Sequence, residues 1–78
     1  MDEYDTKETH WNYRLVKKGN LYAFHEVHYE NAKPVFVTEN PVPVEAGSKE
    51  DAKWVLRMMQ ANWCMPVIDY ETLEEIDE

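Results

Sequence analysis

Between His10 and Lys18 the side chains of Trp11, Tyr13 and Leu15 alternate with Asn12, Arg14 and Val16, the period-two spacing of a half-buried strand. Gly19-Asn20 breaks the pattern, and Leu21 to Glu30 ("LYAFHEVHYE") resumes an aromatic and β-branched run, so the two stretches read as a hairpin. Two registers compete. A two-residue Gly19-Asn20 loop sets Leu15 opposite Phe24 but Tyr13 opposite Glu26. A three-residue Lys18-Gly19-Asn20 loop sets Leu15 on Ala23, Tyr13 on His25 and Trp11 on Val27. The alternation favours the second, which keeps apolar side chains on one face.

After the turn at Glu30 to Lys33, "PVFVTE" (Pro34 to Glu39) reads as a third antiparallel strand, with Phe36 beside Val27 and Trp11 and with Pro34 suited to an edge. "ENPVPVEAG" (Glu39 to Gly47) is a crossover loop, since Asn40 and Val42 precede prolines and are pushed to extended conformations. Ser48 then predicts a helix N-cap, with Asp51 completing a weak capping box and Glu50 beside it near the positive end of the dipole. The helix is expected to run to about Asn62 and to pack Ala52, Val55, Leu56, Met59 and Trp63 on the sheet. Pro66 limits its continuation, and "PVIDY" (Pro66 to Tyr70) reads either as a fourth short strand or as an extended tail beside the core. "ETLEEIDE" carries Leu73 and Ile76 three apart, the spacing of one marginal helical turn.

These elements make an α+β fold class: a three-stranded antiparallel β-meander, with room for a fourth short strand, and one α-helix packed on one face. The expected division is an acidic tail over residues 1–9, a single βββα domain over 10–70 and a second acidic tail over 71–78. At 78 residues the chain is one domain that buries about 60 to 65% of its unfolded surface. Its 44% hydrophobic content, with ten Trp, Tyr and Phe residues, sets it apart from disordered sequences.

Composition then narrows the chemistry. Cys64 is the only cysteine, so a disulfide within the chain or a thiolate metal cage is excluded and a reducing, cytoplasmic setting is expected. The start of the chain is acidic and lacks an apolar leader segment, and no apolar run reaches the roughly 18 to 20 residues that span a bilayer. No membrane association is expected. The net charge of −8 is concentrated at the ends. Four acids lie in the first eight residues (Asp2, Glu3, Asp5, Glu8) and six in the last ten (Asp69, Glu71, Glu74, Glu75, Asp77, Glu78), whereas residues 9 to 68 are nearly neutral. Direct nucleic-acid binding is disfavoured despite Arg14, Lys17 and Lys18 on the first hairpin. A DNA mimic needs carboxylates in a fixed array, which loose tails provide poorly.

His25 and His28 with Glu26 between them resemble a metal-binding string, but zinc proteases place two histidines at i and i+4 on a helix. At i and i+3 on a strand the two rings point to opposite faces, about 10 Å apart. No metal or other cofactor is expected. His25 reads as a core histidine near Tyr13 and Thr38, and His28 as a member of an outer face with Glu26, Glu30 and Tyr22. A His/Glu acid–base pair would need a nucleophile, and Cys64, beside Trp63 and Met65, reads as a small buried hydrophobe. His10 is placed to approach Tyr29 or His28 across the hairpin. The Thr38 to Pro41 corner offers polar groups on a stiff loop, for recognition or for turning the chain.

Trp54, Met58 and Ala61 lie on a flank of the helix outside the expected core stripe. They form a partner-binding strip or are covered by the proline loop or the Pro66 to Tyr70 segment. The stretches "HWNYRLVKK", "YAFHEVHYE", "KPVFVTENPVPV", "KWVLRMM" and "MPVIDYE" together resemble a family of small uncharacterised bacterial or phage proteins over most of residues 10 to 72. The family has no established activity. The resemblance therefore implies a stand-alone small domain and carries over no functional residues; the acidic ends and "MQANWCMP" depart from it.

The functional expectation is a non-enzymatic, acidic protein-binding module. Its concrete form is a phage-type inhibitor of a host nucleic-acid-binding defence complex, akin to anti-CRISPR or antirestriction proteins, whose acidic ends enter a basic groove. The candidate contact residues are Trp54, Met58, Glu26, His28, Glu30, Glu71, Glu74 and Glu75. A bacterial adaptor or homodimerising domain is the alternative, and a His28/Glu26-dependent enzyme or metal protein the minor one. The protein is expected as a monomer or a homodimer.

Overall fold

A computed structural model describes residues 8–77. The elements run β1 (Thr9–Lys18), β2 (Leu21–Glu30), β3 (Lys33–Val37), α1 (Lys49–Ala61), β4 (Val67–Asp69) and β5 (Glu75–Ile76). The fold is α+β, but the three-stranded antiparallel meander is a correction: one mixed sheet of five strands has the order β3-β2-β1-β4-β5. β1 to β3 pair antiparallel as expected, whereas β4 lies parallel to β1, with Val16 opposite Ile68 and Lys17 opposite Asp69. β5, from the stretch expected as an acidic tail, pairs antiparallel with β4.

The hairpin takes the register that the alternation disfavoured. The loop is Gly19-Asn20, and Leu15 faces Phe24, Arg14 faces His25 and Tyr13 faces Glu26. Gly19 has φ of 63°, the positive first loop position of a type II′ turn, whose twist matches that of paired strands. Alternation chooses a register only when one face meets water. Here the core face also carries buried Arg14 and His25, and α1 covers the other face only around Leu15 and Phe24. Val16, Val27, Tyr29, Val37 and Ile68 form the main buried cluster, with Tyr70 and Leu73 packed against it. The opposite face, with Leu15 and Phe24, looks toward α1, where Asn62 Nδ2 donates to the Tyr13 carbonyl at 2.8 Å. Phe36 consequently pairs with His28, not Val27, beside a bulge between His28 and Tyr29.

The helix begins as predicted: Ser48 Oγ accepts from the Asp51 N–H at 3.1 Å, and Asn62 is the C-cap. Its packing is shallower than the wheel implies. Met59 is buried, but Leu56 and Trp63 remain exposed, so only part of the apolar stripe reaches the sheet. Pro66 to Tyr70 contains the fourth strand, and β4 supplies buried Val67 and Ile68. Asp69 shapes the turn after it: its Oδ1 accepts from the N–H groups of Glu71 and Thr72, and its own N–H donates to the Glu74 carbonyl. The last segment is therefore a turn and a strand, not a helical turn.

Asn31 and Ala32 close β2 onto β3 with φ of 51° and 71°. Two positive φ values define a type I′ loop, for which Asn-Gly is preferred. Alanine in that region carries about 1 to 2 kcal/mol of Cβ–carbonyl strain. Ala32→Gly relieves it but adds backbone entropy to the unfolded chain, worth about 0.5 to 1 kcal/mol. The net expectation is a gain of about 0.5 kcal/mol, read as a higher urea midpoint; a lower midpoint would show that the added chain entropy outweighs the strain at Ala32.

Candidate functional site

The most unusual polar group is Arg14, only 2% exposed and standing among residues that otherwise make the core. Its Nη1 donates to the Tyr29 hydroxyl at 2.9 Å, and its Nη2 donates to the Pro66 carbonyl at 2.7 Å and to Glu75 Oε2 at 3.2 Å. The Tyr29 hydroxyl in turn donates to Asn12 Oδ1 at 2.8 Å, and the Tyr29 ring stacks on His10 with centroids 4.5 Å apart. Arg14 Nε is buried with no acceptor, a cost the other bonds of the guanidinium offset. This network forms one wall of an open cleft of about 720 Å³ that Lys33, Leu73 and Glu75 also border. Chemically it is a clasp: a strand-borne arginine holds the β4 end and β5 together.

The histidines separate as the strand period requires. His25 is buried, and its Nδ1 lies 2.8 Å from the Thr38 carbonyl, which places the proton on Nδ1. It is the expected core histidine, although Arg14 faces it where Tyr13 was expected. Thr38 is occupied as well, its hydroxyl accepting from the Glu26 N–H and donating to the Asn40 carbonyl within the Thr38 to Pro41 corner. His28 lies on the other face, with Nε2 3.4 Å from Glu26 Oε1. Both members are half-exposed, and such a pair contributes roughly 0 to 1 kcal/mol. Tyr13, beside Glu26, has its hydroxyl pKa raised by burial and then by the Glu26 charge, so it stays neutral. Among the described residues no group of three or more His, Cys, Asp or Glu side chains converges to hold a metal ion. Cys64 is a correction: it is exposed, because Trp63, Cys64 and Met65 leave the helix end toward solvent.

The expected partner-binding residues fall on three elements. Trp54 is exposed and Met58 half-buried on α1, so neither the proline loop nor β4 covers Trp54. Glu26, His28 and Glu30 share one face of β2. Glu71 and Glu74 are exposed on the last turn, whereas Glu75 is engaged by Arg14. The structure does not gather the three groups into one site.

A further surface was not legible in the sequence. Between α1 and the proline loop runs an apolar groove of about 510 Å³, lined by Phe24, Val44, Leu56, Met59, Gln60 and Trp63. Trp63 is 70% exposed, Leu56 45% and Val44 48%. The helical wheel had assigned Leu56 and Trp63 to the core; their count against the small sheet surface available was the only signal that some would stay outside. The Val42 N–H donates to the Phe24 carbonyl at 2.8 Å, which fixes the loop as the second wall.

No helix among the described residues is long and apolar enough to cross a membrane. Comparison of the chain with protein-family models, with curated proteins and with solved structures finds no match.

Proposed function

We propose that this protein is a non-enzymatic protein-binding module that docks a partner through the groove between α1 and the proline loop. The observation that carries the reading is the exposure of Leu56, Trp63 and Val44 around a floor of Phe24 and Met59. Large apolar side chains concentrated on one surface of a small domain favour contact over solvation, and tryptophan and methionine are enriched where interfaces are fully desolvated. Trp54, although exposed on the same helix, lies on its opposite side and does not border the groove.

The more specific form, an inhibitor that enters the basic groove of a nucleic-acid-binding complex, draws support from the acidic end. Glu71 and Glu74 are exposed on a turn fixed by Asp69 and Thr72, so their carboxylates are carried by ordered backbone. Fixed charges complement a basic groove better than loose ones. A self-associating domain is the competing reading and would use the same groove.

The test captures partners from a bacterial lysate on immobilised protein, alongside light scattering of the protein alone. Trp63→Ala is expected to weaken capture about tenfold or more, since truncating a central interface tryptophan costs about 2 kcal/mol. Capture that survives Trp63→Ala and Leu56→Ala sinks the groove reading. A dimer that Trp63→Ala dissociates replaces it with self-association. Loss of capture in Glu71→Gln with Glu74→Gln at low salt supports the inhibitor form, and no loss removes it.

A further inference from the structure

Across the sheet, at the end away from the Leu15 and Phe24 pair, Trp11, His28 and Phe36 occupy one transverse row: Trp11 pairs with His28, and His28 with Phe36. Each outer ring neighbours the His28 ring, with centroids 6.4 Å apart for Trp11 and His28 and 5.6 Å for His28 and Phe36. Trp11 is 44% exposed and Phe36 55%, so a continuous aromatic strip faces outward. Cross-strand aromatic pairs stabilise a sheet, which accounts for the adjacency. It does not account for three half-open rings in a row beside a carboxylate.

That carboxylate is Glu26, on the same face of β2 as His28 and two residues from it. It meets His28 through one oxygen, Oε1. Beyond the row on the other side lies a hollow of about 300 Å³ bordered by Trp11, His28, Val35 and Glu30. Among the described residues, two cation–ring contacts lie away from this row, with Lys17 Nζ 5.6 Å from the Tyr22 centroid and Lys18 Nζ 4.4 Å from the Tyr70 centroid. Flat rings with an adjacent carboxylate match one side chain in particular. A guanidinium is planar, sheds water more readily than an ammonium, stacks on aromatic faces and forks onto a carboxylate.

We propose that the Trp11–His28–Phe36 row with Glu26 is a docking site for an arginine side chain on a basic segment of a partner protein. The proposal rests on the protein-binding reading above and assigns a second contact, on the sheet, with its own chemistry. Glu26 on one side of the row and Glu30 at the hollow on the other draw a basic segment toward it at low ionic strength. The aromatic row then decides where an arginine settles. Lysine, a compact and strongly hydrated charge, gains less from the same rings.

The probe is a short glycine peptide with one central arginine, titrated into isotope-labelled protein at low salt and compared with the same peptide carrying lysine or glutamine. Saturable shifts on Trp11, Glu26, His28 and Phe36 are expected with the arginine peptide, weaker ones with lysine and none with glutamine. Trp11→Ala should weaken the arginine peptide about fivefold, the equivalent of the roughly 1 kcal/mol of an exposed cation–π contact. Glu26→Gln, which leaves the aromatic row in place, should reduce the preference for arginine over glutamine, whereas Trp63→Ala, in the groove, should leave the response of this row to the three peptides unaltered. Equal responses to all three peptides, shifts on α1 alone, or shifts that follow protein concentration without peptide each overturn the site. A silent row with capture still weakened by Trp63→Ala refutes this site alone. A responding row with capture indifferent to Trp63→Ala refutes the groove alone.

Discussion

Arg14→Ala is expected to lower the unfolding free energy by about 3 to 4 kcal/mol, as truncating a large buried side chain and losing its charge-assisted hydrogen bonds to Tyr29 and Pro66 would. For a 78-residue chain whose whole stability is roughly 4 to 12 kcal/mol, that is a large share. The loss combines an empty volume in the core with the orphaned Pro66 carbonyl and one lost partner of the Tyr29 hydroxyl. Removal of the unpaired Nε gives some of it back. Two companions separate charge from shape. Arg14→Met keeps much of the stem volume and should cost less than half as much, because apolar replacements of buried ionic groups are often nearly neutral. Glu75→Gln should cost about 1 kcal/mol or less, since the Glu75 side chain is 55% exposed and water screens the pair. Urea unfolding of the three variants at neutral pH decides the matter. An alanine variant within about 1 kcal/mol of wild type would mean that Arg14 is not the clasp between β1 and the last strands.

Ile68→Ala should be nearly as damaging, at about 3 kcal/mol. Ile68 is fully buried, it sits on β4 opposite Val16, and truncating a core isoleucine to alanine typically costs about 2 to 5 kcal/mol. The substitution discriminates between the two readings of Pro66 to Tyr70. An extended tail laid beside the domain would lose well under about 1 kcal/mol, as surface changes do. A strand within the sheet would lose the full amount, accompanied by faster amide exchange over β4 and β5. Denaturant midpoints and exchange rates together test both statements.

The parts of the fold legible in the sequence are those set by local signals. The first three strands, the Ser48 cap and the end of the helix near Asn62 were readable because period, capping chemistry and proline restriction act within a few residues. The separation of His25 from His28 was readable for the same reason. The hairpin register was not, because the alternation argument assumed one wet face, whereas Arg14, His25 and Val27 are buried and the arginine is bonded to Tyr29, Pro66 and Glu75. The parallel pairing of Val16 with Ile68 has no local signature, since it joins segments far apart in sequence. Treating the acidic end as a tail followed from its charge; Asp69 as a turn former and Ile76 opposite Val67 were present in the sequence but too short a pattern to outweigh it. The exposure of Trp54 and of the Glu26–His28 face was readable, and the groove at Leu56 and Trp63 was not, because a wheel reports which side chains share a face and not how much surface waits to cover them.

The parallel pairing of β1 with β4 also orders events in time. Two-residue loops join β1 to β2 and β2 to β3, so those hairpins can close in roughly microseconds. β4 can join only after the proline loop, the helix and its exit have been brought round, and closing so long a stretch carries the larger entropy cost. On that order Val16 and Val27 wait for Ile68. If β4 docks after the rate-limiting barrier, Ile68→Ala will leave the folding rate nearly unchanged and accelerate unfolding about a hundredfold, the kinetic equivalent of about 3 kcal/mol lost only in the native state. A matching slowdown in folding would place β4 within the nucleus instead. In the first case the lifetime of the folded molecule, as distinct from the speed of its formation, depends on β4 and the β5 strand paired with it.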